Sequence, residues 1–350
     1  MSRVLLFNTD LEIGGTPTVV RELARRLPEH GCAVEVACLG RHGPTAEQIV
    51  GDGGTVHAFG VGLRQLPGAV SRLRNLVKSG QFDAVLSFLV HANVVAALAR
   101  RRGDGVRWWQ SIQTTQPRPR WHWLAQRWAA RRSDGFIVPS ESIRDAAKLR
   151  SGVDFDRVHV LPNGVDAADV AKEARPPRDP ASVLRVGFLG RLDPVKRVPL
   201  LVEAMRQVER AELHIFGDGP DRAAVELARR GMANVRLHGF ADRRAAFEQM
   251  DVLCLPSLAE GFPMVVIEAM AAGVPVVGTD APGLRDAIVH DETGLLFDEA
   301  GVDPIATALR DLRDHPDRAA TRATAAVAHV REHLTWQSIV PRYAALLNRA

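Results

Sequence analysis

Short apolar runs alternate with helix-like stretches along this chain, and that alternation restricts its fold more than any other feature. A continuous apolar run suits a strand covered on both faces, as in a parallel sheet joined by crossover helices. The first series of strands reads as residues 4–8, 34–39, 84–88 and 135–139. One of its helices spans about residues 93–101, and another runs from Pro17 to near Gly31, with Thr16 placed to cap it after a Gly14-Gly15 turn. The second series reads as 183–189, 212–216, 235–238, 252–255 and 274–278. Between the two lies Ala174-Arg175-Pro176-Pro177-Arg178-Asp179-Pro180, rich in proline and charge as linkers are. The expected division is a domain at 1–173, a linker at 174–182, a second domain at 183–335 and a terminal helical segment at 336–350. The fold class is α/β, with two doubly wound parallel sheets.

Two clusters in the second series carry chemistry. Glu260-Gly261-Phe262-Pro263-Met264-Val265-Val266-Ile267-Glu268 sets two carboxylates around a sequence suited to starting a helix. Pro263 fits a first helical position, where its missing N–H is not needed, and Gly261 lets the backbone approach a ligand. Free amides and the positive end of a helix dipole at such a start favour phosphate. Upstream, Gly190-Arg191-Leu192-Asp193-Pro194-Val195-Lys196-Arg197 follows a buried strand, where open α/β sheets bind ligands. Arg191 offers a planar fork that matches phosphate oxygens, and Lys196 a compact charge.

These clusters, together with the Gly217-Asp218-Gly219-Pro220 turn, His238-Gly239-Phe240 and the run on to Gly273-Val274-Pro275-Val276-Val277, resemble the C-terminal half of glycosyltransferase family 4. Gly14-Gly15-Thr16, Val138-Pro139-Ser140 and Pro162-Asn163-Gly164-Val165-Asp166 are similar to the same family, in order, over nearly the whole chain. The resemblance implies the GT-B architecture of two Rossmann-like domains facing a cleft, with the last helix, from Trp336 to Leu347, returning to the first domain. It implies a retaining transferase that moves a sugar from a nucleoside-diphosphate sugar to a sugar, glycan or lipid-linked acceptor, with no metal or other cofactor. Arg191 and Lys196 are then expected to hold the diphosphate, joined by the backbone of Gly261, Phe262, Pro263, Met264 and Val265 and, from the first domain, by Gly15. Glu268 is expected on the ribose hydroxyls, Glu260 on the transferred sugar, and the backbone of Gly239 and Phe240 on the base.

The chain departs from the family where relatives often carry a histidine; Trp108-Trp109-Gln110-Ser111-Ile112-Gln113 puts Gln113 there. An amide binds a sugar hydroxyl but carries no proton. His91, after its own strand, stands as the catalytic alternative. Pro17 occupies a place where relatives often have Glu. A nucleotide-sugar 2-epimerase of the same fold, or a non-catalytic nucleotide-sugar-binding protein, are the rival readings.

Other signals are weaker. The Gly14-Gly15 turn is not the Gly-x-Gly-x-x-Gly of dinucleotide binding, so hydride chemistry gains no support. His329-Val330-Arg331-Glu332-His333 fits an inverted zinc-protease pattern, yet no third ligand accompanies it. Cys32, Cys38 and Cys254 have no metal or redox spacing, which fits a reducing cytoplasm. The N-terminus leads directly into a strand, without the pattern of a signal peptide, and no window offers a membrane span. The first 170 residues hold 22 Lys and Arg against 16 Asp and Glu. Part of that excess, Arg118, Arg120, Arg127, Arg131 and Arg132, is interleaved with Trp121, Trp123 and Trp128, a mixture that suits peripheral contact with an anionic membrane. No nucleic-acid-binding module accompanies these cations.

Overall fold

The computed structural model describes residues 1–61, 65–114, 121–298 and 301–348. It divides into two compact units, Met1–Asn163 with Trp336–Ala350, and Gly164–Thr335. Each is an α/β unit built on one parallel sheet.

In the first unit the chain runs β1 (Ser2–Asn8), α1 (Gly15–Arg26), β2 (Cys32–Cys38), α2 (Pro44–Gly51), β3 (Thr55–Ala58), α3 (Leu66–Gly80), β4 (Ala84–Phe88), α4 (Leu89–Ala99), β5 (Arg107–Ser111), α5 (His122–Ala130), β6 (Gly135–Val138), α6 (Glu141–Ser151) and β7 (Val158–Val160). The sheet order is β3-β2-β1-β4-β5-β6-β7. β1 is therefore central, with Val4 registered against Val34 on one side and Ala84 on the other. Its Val4, Leu5, Leu6 and Phe7 are fully buried, as a strand covered on both faces requires.

The second unit runs β8 (Leu184–Leu189), α7 (Val198–Ala204), β9 (Ala211–Phe216), α8 (Arg222–Ala228), β10 (Val235–Gly239), α9 (Arg243–Glu248), β11 (Val252–Leu255), α10 (Met264–Ala271), β12 (Val276–Thr279), α11 (Leu284–Ala287), β13 (Leu295–Phe297), α12 (Val302–Asp314) and α13 (Pro316–His333). Its order is β10-β9-β8-β11-β12-β13. One core cluster gathers Val186, Phe188 and Ile215 with Leu201 and Leu309, and a second gathers Phe216 and Leu253 with Val266, Met270 and Val330.

The last helix, α14 (Trp336–Leu347), belongs to the first unit and buries Trp336, Ile339, Tyr343 and Leu347. Arg107 of β5 donates to the carbonyls of Leu346 and Leu347, and Asn348 donates to the carbonyl of His30 at 3.0 Å, so the end of α14 is tied down by side chains.

Several expected boundaries move. Helix α1 starts at Gly15 with Gly14 as its cap residue, so Thr16 lies inside the first turn and does not cap it. Helix α4 starts at Leu89, directly after β4 and ahead of the expected Asn93, with Leu89 itself held at φ 69°. The expected linker at 174–182 packs as part of the second unit. Ala171 donates to the carbonyl of Ala271 at 2.8 Å, and Arg175 donates to that of Met250 at 3.0 Å. The division between units falls at Asn163 and Gly164, because those bonds attach the proline-rich stretch to the sheet that follows it.

Candidate active site

In an open α/β sheet, ligands bind outside the carboxyl ends of the two central strands, where the strand order reverses. For the second unit those strands are β8 and β11. The loop after β8 carries Arg191 and Lys196; the loop after β11 carries Glu260 and leads into α10. The N–H of Leu258 donates to the carbonyl of Val195 at 2.9 Å and stitches the two loops together. The Asp193 carboxylate accepts the N–H of Val195 at 3.3 Å, fixing the short turn that presents Lys196. Lys196 Nζ then lies 2.5 Å from Glu260 Oε1, with the two side chains 21% and 11% exposed. Arg191 is exposed and its side chain makes no ion pair or hydrogen bond among the described residues.

Two glycines hold this arrangement from behind. Gly217, at φ 130°, packs so closely on the loop after β8 that a Cβ there would lie 1.9 Å from the carbonyl oxygen of Gly190. Gly283, at φ 84°, backs onto Glu260, where a Cβ would lie 2.5 Å from its carbonyl oxygen, and the N–H of Glu260 donates to Pro282 at 2.8 Å. The Ala281-Pro282-Gly283 turn was a legible loop signal, but nothing in the sequence tied it to Glu260.

Helix α10 begins one residue later than expected: Pro263 is its cap residue, extended at ψ 110°, and Met264 its first helical residue. No side chain caps this end, so the amides at Met264 and Val265 keep the geometry of a helix start. Phe262 is buried against the core and Gly261 is partly exposed. Glu268 follows Met264 by four residues and so lies on its face of the helix. It is paired with Arg243, the first residue of α9, which the sequence did not mark. Burial pushes the Glu268 carboxyl above the usual carboxylate range, against the opposing pull of Arg243. No bond joins Glu260 to Glu268 among the described residues; the structure places them in two separate ion pairs. Gly239 ends β10 at φ 70°, its carbonyl accepting from Gly217 at 2.6 Å, and Phe240 beyond it is 83% exposed.

In the first unit the order reverses between β1 and β4. Beyond their carboxyl ends lies a cavity of about 410 Å³, lined in part by Thr9, Asp10, His91, Gln113, His122 and Trp123. Its floor is a closed polar network. Ser87 donates to Asn93 Oδ1 at 2.7 Å, Asn93 donates to Gln126 Oε1 at 2.9 Å, and Gln126 donates to Gln110 Oε1 at 2.8 Å. A satisfied buried network of this kind fixes the elements it joins, here β4, α4, β5 and α5. His91 and His122 meet edge to face with centroids 4.9 Å apart. Burial, and then His122, lowers the His91 pKa, with Asp10 opposing; burial lowers that of His122 as well. Gln113 donates to Ser111 Oγ at 2.6 Å. Gly15 is exposed at the first position of α1. Asp10, His122 and Trp123 were not singled out as site residues, because loop and helix positions distant in sequence supply them.

Among the described residues no group of three potential ligands for a metal occurs. His329 and His333 do share a face of α13, with ring centroids 5.0 Å apart. Arg118 and Arg120 lie outside the described residues. No helix of the described residues is long and apolar enough to cross a membrane.

Two parallel-sheet units of this topology are the fold of GT-B glycosyltransferases. Solved structures of that fold superpose over the whole chain. Anabaena HepE in complex with UDP covers 99% of both chains with a TM-score of 0.85 at 20% identity. Sucrose-phosphate synthase from Thermosynechococcus elongatus reaches a TM-score of 0.82 at 18% identity, over 99% of this chain and 98% of that one. Family models agree in sequence: "Glycosyltransferase Family 4" matches residues 13–169 and "Glycosyl transferases group 1" matches residues 184–315. The chain belongs to glycosyltransferase family 4. Among curated relatives, a glycogen synthase of Mycobacterium tuberculosis is 32% identical over 61% of this chain and 53% of its own length. This chain thus spans about half the length of the first curated relatives it matches. A D-inositol 3-phosphate glycosyltransferase of Kribbella flavida is 28% identical over 95% of this chain and 91% of its own.

Proposed function

We propose that this chain transfers a sugar, with retention of anomeric configuration, from a nucleoside-diphosphate sugar to an acceptor hydroxyl. The observation that carries the reading is the Lys196–Glu260 pair at the switch point of β8 and β11, beside an exposed Arg191. Relatives support the donor class: Anabaena HepE is solved with UDP-glucose, and a Mycolicibacterium smegmatis relative is named a GDP-mannose-dependent alpha-mannosyltransferase.

As the donor's anomeric C–O bond breaks, charge grows on the bridging phosphate oxygen. Fixed cations and helix-start amides placed there lower the barrier most. Lys196 and Arg191 take that role together with the backbone from Gly261 to Val265. An ammonium has three donors, so Lys196 can keep Glu260 while it binds an oxygen of the diphosphate. Glu260 holds hydroxyls of the transferred sugar, Glu268 accepts from the ribose hydroxyls, and Gly239 and Phe240 meet the base. The acceptor oxygen forms the new anomeric bond on the face the phosphate leaves, and the acceptor proton passes to the departing phosphate oxygen. His91 and Gln113 bind sugar hydroxyls in the first unit. This scheme uses no covalent nucleophile and no metal.

The setting we assign is the cytoplasm, in the synthesis of cell-surface polysaccharide, glycolipid or glycoconjugate, with peripheral contact at an anionic membrane. On α5 and the residue before it, the large apolar side chains Trp121, Leu124 and Trp128 are exposed at helical spacing, beside Arg127 and Arg131. Incubating the full chain with a panel of nucleotide sugars, read by mass spectrometry, separates the readings. Transfer or slow hydrolysis supports ours, an epimerised sugar supports the 2-epimerase, and binding without turnover supports the silent protein.

A further inference from the structure

The loops with Lys196 and Glu260 leave the carboxyl ends of β8 and β11; a cavity of about 310 Å³ lies at the other ends of these strands, where they and β12 begin. Arg175, Arg178, Arg185 and Asp251 line it in part. Asp251 is the one carboxylate of that lining among the described residues, and both of its oxygens are taken. Oδ2 accepts the backbone N–H of Arg185 at 2.8 Å, and Oδ1 accepts from the Arg185 guanidinium at 2.7 and 3.2 Å. Arg175 and Arg178 have no carboxylate partner among the described residues. Arg178 donates to the carbonyls of Asp179, Ser182 and Arg313 and to the Ser182 hydroxyl. Arg175 donates to the carbonyl of Met250 at 3.0 Å, which leaves most of the five N–H donors of its guanidinium unused. Carbonyl bonds fix a cation in place without cancelling its charge. Burial, and next the like charge of Arg185, act against the Arg175 charge, with Asp251 and Glu248 opposing.

The positive excess is local, since Gly164–Thr335 holds 21 Lys and Arg against 27 Asp and Glu. Two half-buried guanidiniums without a counterion therefore run against the charge of their own unit. The rest of the wall includes the buried Leu184, Val252, Leu312 and Pro316. Pro176 and Pro177 stiffen the backbone between the two arginines, so the cavity is formed before anything enters it.

We propose that this cavity binds a small phosphate monoester with an apolar body, at a site separate from that of the donor diphosphate. The proposal goes beyond the transferase reading and does not depend on it. A guanidinium fork matches phosphate oxygens, and a phosphate monoester brings a charge of about −1.5 to −2 at pH 7, which answers two guanidiniums where a carboxylate answers one. The apolar wall takes the body of the ester, and the volume is that of a small-molecule site.

The probe is phenyl phosphate, titrated calorimetrically into the full chain near pH 7, with phenol and inorganic phosphate as its two halves. Phenyl phosphate is expected to bind at least tenfold more tightly than either half. Arg175→Gln keeps a donor for the Met250 carbonyl but removes the charge, and is expected to weaken binding at least tenfold, the ~1.4 kcal/mol that one charge-assisted hydrogen bond exceeds. Ala320→Glu leaves every arginine in place and sets a carboxylate in the wall, with the same expected loss; it decides the question if Arg175→Gln does not fold. Arg191→Ala, at the donor site, is expected to leave the affinity within about twofold of the parent, a difference well below 1.4 kcal/mol. Absence of binding by the parent chain overturns the proposal, as does equal affinity for either half or unchanged affinity in folded Arg175→Gln. Loss of binding in Arg191→Ala alone overturns it as well, by placing the phosphate at the donor site.

Discussion

Lys196 and Glu260 stand 64 positions apart in sequence and form one contact in space, and their burial sets what each is worth. Replacing Lys196 with Ala leaves a carboxylate only 11% exposed without its partner, the costly half of breaking a buried pair. We expect Lys196→Ala and Glu260→Ala each to reduce transfer by at least ~100-fold, as loss of a transition-state electrostatic contact does. Chemical denaturation is expected to find Lys196→Ala less stable than the Lys196→Ala/Glu260→Ala double variant; equal stability would mean the pair is not coupled as described. Glu268 behaves differently. Its folded pKa is raised, so as pH rises from its unfolded value through its folded one the buried carboxylate loses a proton and stability falls. Glu268→Gln is therefore expected to raise Tm at pH 7 and leave it nearly unchanged near pH 4, while weakening nucleotide binding; a lower Tm at pH 7 would contradict this. The residue types at 191, 196, 260 and 268 were readable as candidates for anion and hydroxyl contacts. Their pairing was not, because Arg243 reaches Glu268 from a helix that follows another strand.

At the level of elements, the chain's central strands were legible and most of its edges were not. β1, β4, β8 and β11 are apolar runs covered on both faces. Three of the four edge strands, β3, β7 and β13, are short and only partly covered, and they escaped the pattern. The loops between strands depend on contacts that periodicity does not record. Gly217→Ala is expected to destabilise the second unit by about 2–4 kcal/mol, because it adds a Cβ 1.9 Å from a carbonyl oxygen at a φ of 130°. Urea titration measures this; a loss below about 0.5 kcal/mol would show that the loop yields freely. Gly283→Ala should cost activity more than stability, since the displaced group is Glu260. The exposed stripe of α5 makes a separate prediction: Leu124→Glu with Trp128→Glu should abolish co-sedimentation with anionic vesicles and leave binding to neutral vesicles unchanged. Equal sedimentation of variant and parent would remove the membrane reading.

For the molecule as a whole, burial lowers the pKa of His91, His122, His159 and His238, and likewise of His329. The unfolded chain then binds more protons than the folded one below the ordinary histidine pKa of about 6.5, so this contribution is present above that pH and lost as pH falls through the folded values. Tm should accordingly drop between pH 7.5 and 5.5, and a His91→Gln/His122→Gln variant should show a shallower drop; an unchanged slope would contradict the assignment. Two parallel-sheet domains and the return of the last helix were both readable from the order of motifs and the apolar runs. The attachment of residues 164–182 to the second unit was not, since it depends on hydrogen bonds from the Ala171 N–H and the Arg175 guanidinium to the carbonyls of Ala271 and Met250. The central claim is that a diphosphate is held where β8 and β11 end, and a crystal structure with the nucleoside diphosphate of the best donor tests it most directly. The account predicts phosphate oxygens within hydrogen-bond distance of Lys196 Nζ and the Arg191 guanidinium. A diphosphate bound elsewhere on the second unit, with both cations turned away, would contradict it.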